Sequence, residues 1–171
     1  LIGIGVSGII GMKAANDGLD TVYKNRVVPL KDLKIISDMY AVNIVDTAHR
    51  VRNGYMSWAD GRKNIDEAMK TISEKWSVYL KTSHVEEEKK VVAEIEALMK
   101  KADTSIGKLR EIAKREDIAD LFEYISNDLY PTIDPVSEKF ARLVSVQLDA
   151  AKDVYSQSEA RYKAYRAATT I

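Results

Sequence analysis

The chain has 171 residues, 30% of them charged and 46% apolar, enough for one domain with a substantial core. Lys plus Arg and Asp plus Glu both number 26, so the net charge is zero, and the basic excess expected of a nucleic-acid binder is missing. Cysteine is absent, which excludes disulfides, thiolate chemistry and Cys-based zinc sites.

Only three Pro and eight Gly occur, and four of the Gly lie among the first eleven residues. The remainder is almost free of helix breakers, which points away from a turn-rich β fold. Residues 1–12, LIGIGVSGIIGM, carry no charge. As a helix they would span about 18 Å, against about 30 Å for a bilayer's hydrocarbon core. They also lack the charged start and cleavage site of a secretory signal. They read as the end of a membrane-spanning helix or its flank; a short buried apolar helix is the competing reading.

From Lys13 to Asn53 the pattern is helical. Leu33, Ile36, Tyr40, Asn43, Thr47, Arg50 and Gly54 recur by threes and fours, a seam on one helix face, flanked by Ala41, Ile44, Ala48 and Val51. Pro29 lacks an amide hydrogen and is expected to bend this helix near Asn25. Asn53-Gly54 supplies a left-handed stop. Ser57 and Asp60 suit a cap for a second helix, whose stripe is Ile65, Ala68 or Met69, Ile72, Trp76 and Tyr79. Ser83 is the expected cap of a third, with Glu86, Glu87 and Glu88 in its first turn and Val92, Ile95, Met99, Ala102, Ile106, Leu109 and Ala113 along its face. Asp117 to Asn127 continues that helix or forms a short one of its own. Asp128-Leu-Tyr-Pro131-Thr-Ile-Asp134-Pro135 reads as a break, with Pro135 at the first position of a last helix capped by Asp134. That helix follows Phe140, Leu143 or Val144, Gln147, Ala151, Val154 or Tyr155, Ser158 and Tyr162. The fold class is therefore all-α: an antiparallel up-down-up-down four-helix bundle with long first and last helices, occupying 13–168. Such a bundle brings both chain ends to one pole. The aromatic and basic end around Tyr162 and Tyr165 suits a membrane interface, with 169–171 starting a second membrane segment.

No catalytic constellation is present, and no cofactor is called for. His49 follows Asp46 by three and His84 follows Lys81, so neither completes the Glu-x-x-His spacing of a di-iron bundle. His84 with Glu87 and Glu88 resembles a surface metal site only loosely, because the helix dipole already explains those acids. The informative feature is the polar upper half of the first-helix seam, Asn43, Thr47 and Arg50. An Arg near a bundle seam needs a partner, since a dry, lone charge costs several kcal/mol. That partner is an internal carboxylate such as Asp46, Glu123 or Asp128, or an anionic ligand gripped by the guanidinium fork. The turn Tyr130-Pro131-Thr132 would offer hydroxyls at the same pole.

The stretch Val22-Tyr23-x-x-Arg26-Val-Val-Pro29-Leu30-x-x-Leu33, then Met39-Tyr-Ala-Val-Asn43-Ile-Val-Asp46-Thr-Ala-His-Arg50-Val-Arg52-Asn-Gly54, with Trp58-x-x-Gly61 and Trp76-x-x-Tyr79, resembles the four-helix-bundle sensor domain of bacterial methyl-accepting chemotaxis receptors. The resemblance implies a periplasmic module held in the inner membrane by flanking helices, a homodimer that binds a small organic acid or amino acid and signals by a small displacement of its last helix. In aspartate-sensing members, arginines late in the first helix clamp the ligand carboxylate, and a threonine after a proline completes the pocket. Arg50 and Arg52 match the first role and Thr132 the second. The first helix lacks those members' arginine trio, so a pocket inside one bundle, involving Tyr40, Trp76, Arg110 or Arg142, stays open. The candidate ligand-binding set is Arg50, Asn43, Thr47, Thr132, Tyr40 and Arg52. The same bundle on a histidine kinase or a cyclic-nucleotide enzyme, or a ligand-free structural bundle, are the alternatives.

Overall fold

A computed structural model describes residues 13, 16–18, 20, 22–82 and 85–169, with the backbone alone described at 161 and 165–169. The expected features of residues 1–12, Ser83, His84 and 170–171 fall outside the described residues. The described residues form helices and turns, with no strand among them. Helix α1 is built from Tyr23–Val27, Val28–Asp38, Met39–Ile44 and Val45–Arg52, which run on without a break because every junction keeps right-handed helical dihedrals. Helix α2 is Trp58–Tyr79 and α3 is Glu86–Arg115. Helix α4 joins Ile118–Tyr124, Ile125–Leu129 and Tyr130–Thr169 into the longest rod of the four.

Cross-helix pairs fix the directions. Asp32 on α1 meets Lys75 on α2, whereas Val51 lies against Gly61, so the two run antiparallel. Arg62 reaches Ala113 while α3 begins just after α2 ends. Arg142 pairs with Glu87, and Lys108 with Asp128 further up. Arg26 meets Gln147 low in the bundle and His49 meets Tyr130 near its top. The arrangement is up-down-up-down, with the start of α1 and the far half of α4 at the same end.

Most of each expected stripe is core; Ile133 and Val136 join it from the expected break, and the expected α4 positions Ser158 and Tyr162 are exposed instead. Leu33, Ile36 and Tyr40 of α1, Ile65, Ala68, Ile72, Trp76 and Tyr79 of α2, Ile95, Ala102, Ile106 and Leu109 of α3, and Ile133, Val136, Phe140 and Leu143 of α4 are all buried. Midway, Phe140 stacks on Tyr40 with ring centroids 6.2 Å apart and takes Trp76 edge-on at 5.5 Å.

Local chemistry sets the ends. Asn53-Gly54 closes α1 as a Schellman turn: Gly54 takes φ 74°, Tyr55 N–H donates to Arg50 C=O at 2.8 Å and Gly54 N–H to Val51 C=O at 3.1 Å. Ser57 Oγ accepts the Asp60 N–H at 3.1 Å and caps α2. Val85, not Ser83, is the residue flanking α3, and Glu88 reaches back to its N–H at 2.8 Å.

The expected break at 128–135 is absent; Asp128 to Pro135 is continuous helix. The interruption comes earlier, at Glu116, which adopts φ 57°, and Asp117 then caps α4 by accepting the Asp120 N–H at 3.0 Å. Two prolines are tolerated inside α4 for separate reasons. Pro131 leaves the Asn127 carbonyl without its usual donor, and Asn127 sits at the centre of the wide π turn Ile125–Leu129. Pro135 does the same to the carbonyl of Pro131, which lies on the exposed face of the helix where water serves. The same device appears in α1. Pro29 orphans the Asn25 carbonyl, and Asn25 is the centre of the π turn Tyr23–Val27, where Val28 N–H bonds back five residues to Tyr23 C=O.

Candidate functional site

The polar seam divides. Within a second π turn of α1, Met39–Ile44, Ile44 and not Asn43 follows Tyr40 into the core, four residues on and so on the same helix face. Above it the buried positions are Thr47, Ala48 and Val51, and Arg50 turns outward. Arg50 therefore does not lie on the bundle seam. Its guanidinium is half exposed and its nearest carboxylate is Asp46, 3.8 Å away on the surface of the same helix. A loose surface pair of this kind is worth about 0–1 kcal/mol and leaves the fork free for other acceptors. Neither Glu123 nor Asp128 serves as its partner; Asp128 faces Lys108 at 3.7 Å.

The other five candidates fall into two groups. Tyr40 and Thr47 are fully buried, and Asn43 and Thr132 are half-buried. Tyr40 Oη and Asn43 Oδ1, with Ser137 Oγ, are the buried side-chain atoms without a hydrogen-bond partner among the described residues. Burial, with a smaller contribution from the Asp103 carboxylate, pushes the Tyr40 phenol well above its usual range, so it stays protonated and able to donate. Thr132 is not in a loop before a helix but inside α4, where its hydroxyl meets Ser105 Oγ at 3.1 Å; Ser105 in turn lies 3.0 Å from Tyr124 Oη. Arg52 belongs with Arg50 near the end of α1, its guanidinium 5.4 Å over the exposed ring of Phe122 and its Nε bonded to Asn53 Oδ1 at 3.1 Å.

His49, which the periodicity did not single out, stands between these groups. Its Nε2 lies 2.8 Å from Tyr130 Oη, tying the end of α1 to α4. Partial desolvation and the adjacent Arg52 lower its pKa, against a weaker opposing pull from Asp46. A His, two Arg and an exposed aromatic pair, Phe122 and Tyr130, thus crowd the top of the α1–α4 face.

A ligand-sized cavity lies elsewhere. It is an open groove of about 500 Å³ between the end of α3 and the start of α4, floored by Gly107 and Ile112 and edged by Lys108, Arg115, Glu123 and Asn127. A space behind Thr47 and Val51 measures about 10 Å³, too small for a solute. None of Arg50, Arg52, Asn43 or Thr132 lines either one.

The described residues thus form an antiparallel four-helix bundle with exposed ion pairs along its length and a few buried polar junctions. The comparisons with known proteins agree. Residues 1–162 match the family described as a four helix bundle sensory module for signal transduction, and the chain belongs to that family. It is 36% identical over 165 residues to the methyl-accepting chemotaxis protein NahY of Pseudomonas putida, an alignment taking in 96% of this chain and 31% of that protein. The chain thus spans about a third of that relative's length. No solved structure matches it. Family and relative place the chain among chemoreceptor sensory modules, not in an enzyme family. Among the described residues no helix is long and apolar enough to cross a membrane.

Proposed function

We propose that this bundle is the periplasmic sensing domain of an inner-membrane chemoreceptor, that it works as a homodimer, and that it binds a small carboxylate, an organic acid or amino acid, between the upper ends of two α1 helices. The observation carrying this reading is that Arg50 is weakly paired at the surface of α1, a helix that also exposes Val27, Val28 and Val42. Exposed valines interleaved with Lys31, Lys34 and Asp38 make a face suited to a second copy of the same helix. Two such copies would bring two Arg50 forks toward one another, an unfavourable arrangement that a dicarboxylate relieves by bidentate hydrogen bonding. Arg52 and the Asn43 amide stand within the same two turns. Occupancy would alter how α4 sits against α1 through the His49–Tyr130 contact, and α4 would carry that change to a cytoplasmic signalling module.

A second reading has its own observation. The α3–α4 groove is of ligand size within one subunit, and an anion there would have to draw Arg115 from Asp120 and Lys108 from Asp128. Calorimetry separates the two. The isolated domain is titrated with a panel of dicarboxylates, tricarboxylates and aromatic acids, and the best binder is tested against Arg50→Ala and Arg115→Ala. Loss of affinity of tenfold or more in Arg50→Ala alone supports the dimer site; the same loss in Arg115→Ala alone moves the site to the groove. Sedimentation of the wild type and Val42→Glu, with and without the best binder, tests the α1 face, and an unchanged association constant in Val42→Glu would remove it.

A further inference from the structure

Low in the bundle, four side chains from four helices meet in one buried junction. Arg26 of α1 donates to Glu88 Oε1 of α3 at 2.9 Å and to Gln147 Oε1 of α4 at 3.1 Å. Gln147 Nε2 donates to Tyr79 Oη of α2 at 3.2 Å. Glu88 Oε2 is held by the Val85 N–H at 2.8 Å, which pins the carboxylate to the start of α3. Glu88, Gln147 and Tyr79 are wholly excluded from solvent. Burial outweighs the Gln147 hydrogen bond and pushes the Tyr79 phenol up to about 12, so its hydroxyl remains a neutral hydrogen-bonding group.

We propose that Gln147 is an axial latch: its two hydrogen bonds, to Arg26 and to Tyr79, are satisfied together in one register of α4, and they set the resting balance between the receptor's two output states. The proposal rests on the sensory role of the domain but not on which ligand it binds or where.

The argument is one of geometry and dielectric. The amide is the sole α4 side chain in the junction, and its two ends are committed to two different helices. A displacement of α4 along its axis by even one residue's rise, about 1.5 Å, carries the amide away from both partners at once. The Gln147 amide itself is closed to water, so solvent does not replace its two bonds when it leaves them, although the Arg26 guanidinium keeps some exposure. Everything else in the junction, the Arg26–Glu88 pair and the Val85 cap, joins α1 to α3 and survives that displacement. The other α4 residues at this level, Leu143 and Val146, make apolar contacts, which are tolerant of small slides because they lack direction. The polar amide is thus the element that discriminates between registers.

The test is made on the full-length receptor without added ligand, reading resting output as kinase stimulation or receptor methylation. Gln147→Met keeps the volume and removes both hydrogen bonds; Tyr79→Phe keeps the ring and removes one partner. Val146→Ala, the adjacent buried position, controls for lost packing. The latch predicts a shift of about tenfold in the resting equilibrium for Gln147→Met, a smaller shift in the same direction for Tyr79→Phe, and none for Val146→Ala. Resting output unchanged in Gln147→Met and Tyr79→Phe would overturn it. So would shifts in all three variants that simply track their loss of thermal stability. Should Gln147→Met fail to fold, Tyr79→Phe alone decides between these outcomes.

Discussion

The Arg26–Glu88 pair makes the sharpest stability prediction, because its two members are unequally able to reach water. Arg26 retains 12% side-chain exposure and Glu88 none. Replacing Arg26 by Met leaves a carboxylate in the dry interior, held among the described residues by the Val85 amide. Breaking a buried pair from one side costs about 3–5 kcal/mol. At about 2–4 °C per kcal/mol for a domain of this size, the melting temperature should fall by about 6–20 °C. Glu88→Met should cost less, about 2 kcal/mol: it loses the pair and a cap, but the guanidinium can swing its head toward solvent along its apolar stem. The double variant, with apolar groups filling both places, should be less impaired than Arg26→Met alone, giving a coupling energy of about 2–3 kcal/mol. Urea unfolding of the four species closes the cycle. Additive losses, or an Arg26→Met cost no greater than the 0–1 kcal/mol of an exposed pair such as Lys139–Glu94, would refute the reasoning.

Three further outcomes follow from single positions. A Cβ on Gly61 would come within 2.5 Å of Val51 Cγ2, and Val51 is stiff, so Gly61→Ala should destabilise by about 1 kcal/mol despite Ala's better helix propensity, whereas in a Val51→Ala background the same change should stabilise; thermal melts of the four species check the reversal. Gly54→Ala, forced to φ 74°, should lower stability by about 1–2 kcal/mol in urea titration, although nothing crowds the position. The fold holds the His49 imidazole below its ordinary 6.5, so the neutral ring is the favoured form; its contribution is present above that pH and is lost as pH falls from about 6.5 through the lowered value. The melting temperature of His49→Gln should therefore decline less than that of the wild type between pH 7 and pH 5.

What the sequence made legible was periodicity, and where periodicity was regular the expectations hold. The stripes of α2 and α3, from Ile65 to Tyr79 and from Val92 to Ala113, are the buried faces of regular helices. The seam of α1 was drawn through Asn43, Thr47 and Arg50, and the core instead runs through Ile44, Ala48 and Val51, residues recognisable beforehand only as its apolar flank. The buried positions Leu33, Ile36, Tyr40, Ile44, Ala48 and Val51 keep the helical average of about 3.6 residues per turn, whereas the expected seam steps by about 3.5 and so drifts off the core face above Tyr40. Asp128 to Pro135 misled for another reason. Two prolines in five residues look like a stop, yet the carbonyls they orphan are accommodated by a widened turn and by solvent. The buried junction had a visible signal in Gln147, an amide among Phe140, Leu143 and Ala151 on an apolar stripe, but nothing in the sequence paired it with Arg26, 121 residues away, or paired Arg26 with Glu88, 62 residues away.

The distribution of irregular turns bears on how such a bundle can transmit a signal. All three π turns lie in α1 and α4, and the described parts of α2 and α3 have none. A π turn gives up the regular four-residue ladder of bonds, so a rod that contains one bends or shifts there at less cost than elsewhere. The two turns of α1 bracket the segment Val28–Asp38, and the turn of α4 lies just below the short helix that begins at Asp117. The turns Tyr23–Val27 and Ile125–Leu129 thus lie below and above the aromatic cluster of Tyr40, Trp76 and Phe140, and the third, Met39–Ile44, contains Tyr40 itself. A disturbance at the top of α1 and α4 therefore has soft turns through which to reach the aromatic cluster. Regular α2 and α3, laced to their neighbours by Lys75–Asp32 and Lys139–Glu94, serve as the frame.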